Sequence, residues 1–285
     1  MPDKLNKNMN IKEFWDAHPC GEEFLPELNT TSIDFFDNYD ELKQALEPHI
    51  FTELTKLNLK DVSVLEIGLG QGTESEFFIK SGAMWTGIDF STVACQRVLN
   101  RIRLKNLSGN VLNATATDLP FKDDEFDLVF SHGVLHHIPE AEKAAREMSR
   151  VLRPGGKLIV MVYSKYSINY ALSILIIRRI GLIMIYPLYL LGFKFEGKYL
   201  KHLENLSNTG SQYLRLGNFL SANTDGPENP YSKVYSSREV KRLFDSLVHD
   251  KTRKFFRVLP PFYRVASIKP KKFGWHLWVF FTKSK

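Results

Sequence analysis

The stretch that decides the fold is Val62-Ser63-Val64-Leu65-Glu66-Ile67-Gly68-Leu69-Gly70-Gln71-Gly72-Thr73. An apolar, β-branched strand carrying an acidic residue runs directly into a glycine-rich turn. Such a turn lets the backbone approach a nucleotide-like cofactor, because glycine tolerates backbone angles that other residues resist. The spacing is G-x-G-x-G, whereas the dinucleotide-binding pattern G-x-G-x-x-G would need glycine in place of Thr73. No Gly-Lys-Ser/Thr follows, so the sequence also excludes a P-loop.

Further apolar runs follow the glycine turn at the spacing of repeated strand–helix units. The second run, 83–89, ends in Asp89, where a Rossmann-like site places a carboxylate that binds ribose. The third covers 111–116, the fourth 126–130 and the fifth 157–163. Strands that alternate with helices predict a parallel sheet with right-handed crossovers. Ligands bind beyond the carboxyl ends of such strands, where we expect Glu66, Asp89, Asp118 and Ser131.

Four motifs together resemble class I S-adenosylmethionine (SAM)-dependent methyltransferases, in particular those similar to the ubiquinone and menaquinone biosynthesis methyltransferases. The motifs are VLEIGLGQG, GIDFS, ATDLPFKDDEFDLVFSHGVLHHI and RVLRPGGKLIV, and they cover about residues 60–163. The resemblance implies an α/β, Rossmann-like fold with a seven-stranded sheet that is parallel except for an antiparallel last strand. It also implies SAM as the cofactor and S-adenosylhomocysteine as the product. After Tyr163 the strand–helix pattern breaks, which predicts a helical insertion after strand 5.

The same resemblance implies a set of cofactor-binding residues: Glu66, Gly68, Gly70, Gly72, Asp89, Phe90, Thr117, Asp118, Leu119, Ser131 and His132. The glycine turn would face the methionine part and the sulfonium. Asp89 would hold the ribose, and Phe90 would lie against the adenine. Asp118 would accept a hydrogen bond from the adenine amine, and His132 would lie near the reacting methyl group.

The candidate catalytic residues are His132, His136 and Tyr163. Histidine exchanges protons near neutral pH and can serve as a general base. His136 and His137 are adjacent, so on a helix they would point about 100° apart and only one would face the pocket. The alternative for each histidine is a packed or helix-capping side chain.

Composition is typical of a soluble α/β protein of one large domain, or of one domain with a sizeable insertion. The 285 residues include two cysteines, Cys20 and Cys95, which form neither a disulfide framework nor a metal-ligand cluster. No His-Glu-x-x-His motif is present, so we expect no metal. The first ten residues are polar and do not resemble a secretory signal, and the expected location is the cytoplasm.

The patterns divide the chain into four segments. Residues 1–58 form an N-terminal helical segment expected to close over the cofactor, where Trp15 and Tyr39 would either cover the site or anchor the segment. Residues 59–163 form the SAM-binding core, and residues 164–232 form an apolar helical cap or insertion. Residues 233–285 add a C-terminal helix and a strand hairpin, predicted at 251–258 and 274–282 with the loop 259–273 between them.

The stretch 168–195 is strongly apolar. Its uncharged run, 180–193, has 14 residues, fewer than the roughly 20 that cross a bilayer, so the sequence does not predict a transmembrane helix. Three interpretations stay open: a buried helical cap, a lid that contacts a hydrophobic substrate, and a segment, 168–201, that contacts an anionic membrane. The basic residues of the last interpretation are Arg178, Arg179, Lys194, Lys198 and Lys201.

Charge is distributed unevenly along the chain. Residues 1–163 carry 17 Lys and Arg against 25 Asp and Glu, whereas residues 164–285 carry 21 against 7. Such asymmetry favours an anionic partner for the second part, or a solvated basic face. The predicted function is methyl transfer from SAM to an O, N or C atom of a small, apolar or amphipathic molecule.

Two alternative functions remain at this point. One is an RNA methyltransferase that uses the basic C-terminal part, although no known RNA-binding module is recognisable and nucleic acid is therefore the less favoured partner. The other is a non-catalytic SAM-binding protein that docks on membranes. The cofactor motifs are undamaged, which favours an enzyme.

Overall fold

The computed structural model describes residues 11–256 and 270–285, and a seven-stranded sheet of order β3-β2-β1-β4-β5-β7-β6 lies at its centre. The strands are β1 (Ser63–Ile67), β2 (Met84–Asp89), β3 (Asn110–Asn113), β4 (Phe126–His132), β5 (Leu152–Tyr163), β6 (Val248–Phe255) and β7 (His276–Thr282). Strands β1 to β5 pair in parallel, and β7 is antiparallel to both β5 and β6. The predicted α/β sheet with an antiparallel last strand is confirmed.

Helices cover both faces of this sheet. They are α1 (11–17), α2 (Ile33–Leu46), α3 (Pro48–Leu54), α4 (Thr73–Lys80), α5 (Thr92–Leu104), α6 (Ala141–Arg150), α7 (Arg179–Leu190), α8 (Gly197–Thr209), α9 (Leu216–Ala222), α10 (Ser237–Leu243) and α11 (Pro270–Phe273). Alternate residues of β1 enter two separate cores, Leu65 and Ile67 in one and Val64 in the other. A strand buried on both faces is typical of a parallel sheet, and it explains the continuous apolar runs in the sequence.

Local sequence signals set several helix boundaries. The Ser91 side chain accepts a hydrogen bond from Ala94 N and caps α5, since serine is among the preferred residues at this position. Helix α2 ends before Pro48, which begins α3 at a position where the missing N–H is not needed. Ser236 and Glu239 form a reciprocal capping box at the start of α10.

Other boundaries differ from the sequence expectation. Strand β3 ends at Asn113 rather than at 116, because a turn in which Asp118 N donates to Thr115 O follows it. Strand β5 begins at Leu152, so Pro154-Gly155-Gly156 lies inside the strand beside a register shift in its pairing with β4. The loop predicted at 259–273 lies mostly outside the residues that the structure describes.

The insertion after β5 is helical, as predicted, and has a core of its own. A π-helical segment (Asn169–Arg178) continues into α7, and α8 and α9 follow. The insertion core includes Tyr170, Ile174, Leu182, Leu203 and Phe219.

The first helix of the insertion corrects the sequence argument about membranes. Asn169–Leu190 is one continuous helix of 22 residues, whose most apolar window of 18 residues has a mean hydropathy of 1.8 and is only 17% buried. By length and composition alone this helix could cross a bilayer. The length of the uncharged run, 14 residues, underestimates the length of the helix, because Arg178 and Arg179 lie within the helix and do not end it.

Candidate functional site

A cavity of about 1520 Å³ lies beyond the carboxyl ends of the central strands. The glycine turn after β1 and Asp89 at the end of β2 form one side, and Trp15 and Tyr39 of the N-terminal segment also line it. Leu182 of α7 contributes from the insertion. The volume exceeds the roughly 300–1,000 Å³ that is typical of a pocket for one small ligand. The cavity can therefore hold a cofactor and a second molecule together.

The three glycines of the turn serve different purposes. A Cβ at Gly68 would lie 2.0 Å from a Val134 methyl group, so a side chain is excluded there. Gly72 adopts a φ of 81° and begins α4, away from the cavity wall. Gly70 has a φ of 52° and no atom within 4 Å of its Cβ position. Gly70 thus presents bare backbone to open space, which suits close approach by a ligand.

The Asp89 carboxylate is held in position by backbone N–H groups of the glycine turn and of the residues that follow β2. Its Oδ2 accepts from Leu69 N at 2.7 Å, and its Oδ1 accepts from Ser91 N at 2.8 Å. Burial raises the pKa of Asp89 above its usual value, against the lowering effect of these backbone N–H groups. A carboxylate has about four acceptor sites, and the N–H groups of Leu69, Ser91 and Gly70 use three of them, so Asp89 can still accept a hydrogen bond from a ribose hydroxyl.

Glu66 lies within β1 and is almost completely buried. Its Oε2 accepts from Ser75 Oγ at 2.7 Å and from Trp85 Nε1 at 2.8 Å. Burial, followed by the nearby charge of Glu74, raises the pKa of Glu66 to about 8. A cationic ligand in the cavity would favour the ionised carboxylate.

Four buried polar atoms of residues in the cavity wall lack a hydrogen-bond partner within the part of the chain that the structure describes: Glu74 Oε1, His132 Nε2, Asn169 Oδ1 and Asp225 Oδ2. Glu74 and Asp225 still have an ion-pair contact, with Lys43 and His137, which leaves His132 Nε2 and Asn169 Oδ1. Buried polar atoms are normally paired, so these two indicate a polar ligand. Gly70 offers the backbone approach and Asp89 an acceptor for a ribose hydroxyl. The residues present therefore fit SAM.

The structure brings most of the predicted site residues to the cavity wall: Glu66, Gly68, Gly70, Asp89, Phe90, Thr117, His132 and Tyr163. These residues come from the ends of β1, β2, β4 and β5 and from the segment after β3. The carboxyl ends of neighbouring parallel strands meet at one edge of a sheet, which explains the convergence.

The other predicted residues, Gly72, Asp118, Leu119, Ser131 and His136, lie outside the wall although the structure describes all of them. Leu119 is buried in the core, and Asp118 is exposed beside it. Ser131 is fully buried within β4. His136 is fully buried with its ring centroid 3.7 Å from that of Tyr163, so the neighbouring His137 is the one that faces the cavity.

Sequence reasoning missed a polar network that joins the insertion to the core. Asp225 Oδ1 accepts from Tyr163 OH at 2.8 Å, and Asp225 Oδ2 lies 3.3 Å from His137 Nε2. His137 Nδ1 lies 3.0 Å from Tyr231 O. Asp225 stands in the turn-rich stretch Asp225-Gly226-Pro227, which the sequence marks only as a loop.

The network has a defined charge state. Burial opposes ionisation of Asp225, but His137 and the hydrogen bonds from Tyr163 and Thr224 lower its pKa below the usual value. Burial, together with the Asp225 charge, raises the pKa of Tyr163 well above its usual value. Asp225 is therefore a carboxylate at neutral pH, and Tyr163 stays protonated and donates to it.

A second cluster has the residue types of a metal site. Ligand atoms of Glu47, His132 and His276 lie within 4.8 Å of one another, and His49 Nε2 lies 3.2 Å from His276 Nδ1. Sequence spacing could not reveal the cluster, because its members come from the α2–α3 junction, the end of β4 and the start of β7. Burial lowers the pKa of both His132 and His276 well below the usual value.

A lysine already places a positive charge beside this cluster. Lys43 Nζ lies 2.7 Å from the Glu74 carboxylate, and the Lys43 charge lowers the pKa of His132 and of His276 beyond the effect of burial. A cation so close disfavours a second one. The absence of a metal stays a prediction.

The basic residues of the RNA alternative are Lys251, Arg253, Lys254, Arg257, Arg264, Lys269, Lys271 and Lys272. The three on β6 contact the protein itself. Arg253 Nη1 lies 2.5 Å from Glu53 Oε1, Lys251 Nζ lies 4.4 Å from the Phe280 ring centroid, and Lys254 Nζ donates to Lys272 O. Residues 257–269 lie outside the described ranges, and β6 itself offers no support for the RNA alternative.

Comparison with known proteins agrees with this geometry. Residues 65–160 match the family model described as "Methyltransferase domain". Over 100 residues the chain is 35% identical to "Methyltransferase GfsG" of Streptomyces halstedii, which covers 34% of this chain and 36% of that protein. Over 102 residues it is 34% identical to "Demethylmenaquinone methyltransferase" of Tropheryma whipplei, which covers 35% of this chain and 41% of that protein. The chain thus spans about two fifths of the length of these relatives.

A solved structure extends the similarity to the whole fold. The chain superimposes on a Burkholderia thailandensis protein described as 1,6-didemethyltoxoflavin-N1-methyltransferase with bound 1,6-didemethyltoxoflavin and S-adenosylhomocysteine. The TM-score is 0.52 at 13% identity, and the match covers 100% of this chain and 91% of that one. This match shows the fold alone, and the family model and the two relatives confirm the resemblance read from the four sequence motifs.

Proposed function

We propose that this chain, which carries a class I SAM-dependent methyltransferase domain at residues 65–160, transfers the methyl group of SAM to a small apolar or amphipathic molecule. The observation that carries the proposal is the position of Asp89 beside the open backbone of Gly70, at the edge of a cavity large enough for two ligands. The reaction class is EC 2.1.1.-.

The cofactor half of the cavity follows from the glycine turn. When bound, SAM would supply an activated methyl group, which the acceptor atom attacks in line with the breaking carbon–sulfur bond, so that S-adenosylhomocysteine leaves. Asp89 holds a ribose hydroxyl, and the backbone at Gly70 lets the methionine part come close. Glu66, buried nearby, gives the cationic sulfonium a favourable field once it is ionised. The main contribution of the protein is alignment of donor and acceptor, which can account for several kcal/mol of the barrier, within about 7–11 kcal/mol for ideal cases.

The acceptor half is bounded by the insertion. Ile177, Leu182, Ile185 and Phe219 line the cavity on that side. Such walls favour an apolar or amphipathic acceptor, because polar groups buried against them would lose their hydrogen bonds. One relative carries the name demethylmenaquinone methyltransferase, and we include quinones among the acceptors to be tested for that reason.

His132 is the residue that we assign to the acceptor atom. Its Nε2 has no partner in the described chain, and its lowered pKa keeps the imidazole neutral. A neutral imidazole with a free nitrogen accepts a hydrogen bond from an O–H or N–H group and orients its lone pair. The Tyr163–Asp225–His137 network lies on the same wall and places a fixed negative charge there, while the proton released by the acceptor passes to solvent.

A transfer assay tests this function. SAM carrying a tritiated methyl group is incubated with the protein and a panel of hydrophobic phenols, reduced quinones and lipids, and radioactivity is counted in the organic phase. We expect transfer to at least one acceptor, and the His132→Gln variant to lose about a hundredfold in kcat, in the range of lost acid–base assistance. The KM for SAM should change little.

His249→Gln is the matched control, because His249 lies on β6 at the far edge of the sheet and should leave kcat unchanged. A chelator should also leave the rate unchanged, because the positive charge of Lys43 disfavours a metal ion at the cluster of Glu47, His132 and His276. An equal loss in both histidine variants would refute the role of His132. Absence of transfer to any apolar acceptor, with transfer to RNA instead, would overturn the proposed substrate class.

A further inference from the structure

The helix Asn169–Leu190 has two faces with different surroundings. Its inner face enters the insertion core and lines the cavity, through residues such as Ile174, Ile177, Leu182 and Ile185. These positions are spaced three to five residues apart and so share one side of the helix. The helix is therefore the wall that separates the proposed acceptor site from the outside of the protein.

The outer face of the same helix is apolar and exposed. Ile176 is 48% exposed, Ile180 is 52% exposed and Met184 is 70% exposed. We call the outer stripe the set of exposed apolar residues at three- or four-residue spacing along this face: Leu172, Ile176, Ile180, Ile183, Met184, Leu188 and Leu191. A contiguous apolar surface of this kind marks an interaction site, because leaving it in water is costly.

Lysines outnumber acidic residues around the outer stripe, although Glu196 is exposed among them and three lysines lie near a glutamate of another element. Lys165 Nζ lies 3.9 Å from Glu239 Oε1, Lys198 Nζ lies 3.5 Å from Glu23 Oε1, and Lys201 Nζ lies 3.5 Å from Glu228 Oε1. Exposed pairs of this kind contribute little, so these lysines can exchange their glutamate for a headgroup. Residues 164–195 contain no Asp or Glu, and exposed lysines, Lys165, Lys194, Lys198 and Lys201, stand before and after the helix. Exposed tyrosines, Tyr166 and Tyr199, lie near them in the sequence. An apolar stripe flanked by lysines and amphipathic aromatic rings complements an anionic lipid surface, where the apolar groups enter the acyl boundary and the lysines meet the headgroups.

Arg178 and Arg179 face the insertion and not the outer stripe, so the prediction that they contact lipid headgroups was wrong. Arg178 Nη1 donates to Asn223 O at 2.9 Å, and the Arg179 guanidinium lies 5.8 Å from the Phe219 ring centroid. Both arginines thus hold the helix against α9. A helix that crossed the bilayer would have to leave these contacts and the insertion core, so a position in the plane of the surface is the one that the packing permits.

We propose that the outer stripe docks the protein on an anionic lipid bilayer, with the helix Asn169–Leu190 lying in the plane of the interface. The inner face of the docked helix then borders the proposed acceptor site, which places that site next to the bilayer in which an apolar acceptor dissolves. This second statement rests on the proposed methyltransferase function, whereas the docking does not.

Vesicle sedimentation with the full chain tests the docking. The protein is mixed with vesicles of phosphatidylcholine alone or of phosphatidylcholine with phosphatidylglycerol, and the bound fraction is measured. We expect binding to the anionic vesicles to exceed binding to the neutral ones by about tenfold or more. The triple variant Ile180→Gln, Met184→Gln, Leu191→Gln should lose about tenfold or more of that binding.

The matched control replaces three exposed apolar residues elsewhere, Met84→Gln, Leu99→Gln and Leu104→Gln on β2 and α5, and should bind vesicles like the unaltered protein. Calorimetric titration of each variant with SAM reports folding independently of lipid, so a failure of docking is distinct from a failure of the methyltransferase proposal. Sedimentation equilibrium without lipid measures the oligomeric state and so tests whether a second copy of the chain covers the outer stripe instead.

Three results would overturn the proposal. The first is that the unaltered protein binds vesicles no better than the outer-stripe and control variants do, whether all bind or none does. The second is a dimer without lipid that the outer-stripe variant converts to a monomer, which would assign the stripe to a second copy of the chain. The third is resistance of the bound protein to an alkaline carbonate wash, which releases a docked protein but not a spanning helix.

Discussion

Glu66 shows how a single buried residue links the site to stability. Its carboxyl group is enclosed by β1, Ser75 and Trp85, and burial raises its pKa from 4.5 to about 8. The folded protein therefore holds the Glu66 proton more tightly than the unfolded chain does. From this residue, the free energy of unfolding should fall as the pH rises from about 4.5 to about 8, by at most about 1.4 kcal/mol per pH unit.

The Glu66→Gln variant should remove this dependence. Glutamine has the same shape and its amide oxygen still accepts from Ser75 and Trp85, but it does not titrate. Urea unfolding at about pH 5 and about pH 8 should show a smaller loss of stability in the variant than in the unaltered protein. Glu47, whose pKa burial raises to about 7, is present in both proteins and cancels in the comparison. Glu41→Gln, on the exposed side of α2, controls for the lost charge, and an identical pH slope in all three proteins would contradict this account.

Among the structural elements, α1 is the one that closes the cavity from the N-terminal side. Asp16 Oδ1 accepts from Ser91 Oγ at 2.7 Å and from Val93 N at 3.3 Å, and these partners lie directly after Asp89. Lys12 donates to Asp16 Oδ2 within the same helix. The placement brings Trp15 to the cavity wall, with its ring centroid 5.0 Å from that of His137.

The Asp16→Ala variant should detach α1 without unfolding the sheet. Hydrogen bonds to a charged group contribute roughly 1.5–3 kcal/mol, so we expect the Kd for SAM to rise by about tenfold, which equals about 1.4 kcal/mol. Limited proteolysis near α1 should become faster, while far-ultraviolet circular dichroism stays unchanged. Glu13→Ala, on the exposed face of the same helix, is the control. Equal SAM affinity in Asp16→Ala and Glu13→Ala would show that α1 does not close the site.

Elements with local signals were predictable. The glycine turn and the five apolar strands depend on residues close together in sequence, and the structure has all of them, although β3 and β5 have other bounds than expected. The length of the Asn169–Leu190 helix was underestimated, because Arg178 and Arg179 were taken as the end of the apolar run. Both lie within the helix and contact the α9 region, through Asn223 O and the Phe219 ring.

At the scale of the whole molecule, the missed groups are those that assemble from distant parts of the chain. Glu47, His132 and His276 come from three different regions, and Asp225 reaches Tyr163 across 62 residues. No local pattern marks such convergence, since only the sheet order and the insertion bring these side chains together. Asp118 and Leu119 belong to a recognisable motif and yet lie outside the cavity wall. The turn after β3, in which Asp118 N donates to Thr115 O, directs the chain away from the cavity at this point.

The central claim is that the cavity beside the glycine turn binds SAM, and calorimetric titration with SAM and with S-adenosylhomocysteine tests it most directly. We expect both to bind the unaltered protein, and the Asp89→Ala variant to bind each at least about tenfold more weakly, since a charged acceptor of ribose hydrogen bonds contributes roughly 1.5–3 kcal/mol. Asp118→Ala, from the same motif region but outside the cavity wall, should bind SAM normally. Failure of the unaltered protein to bind either compound, or equal binding by the Asp89→Ala variant, would contradict the account.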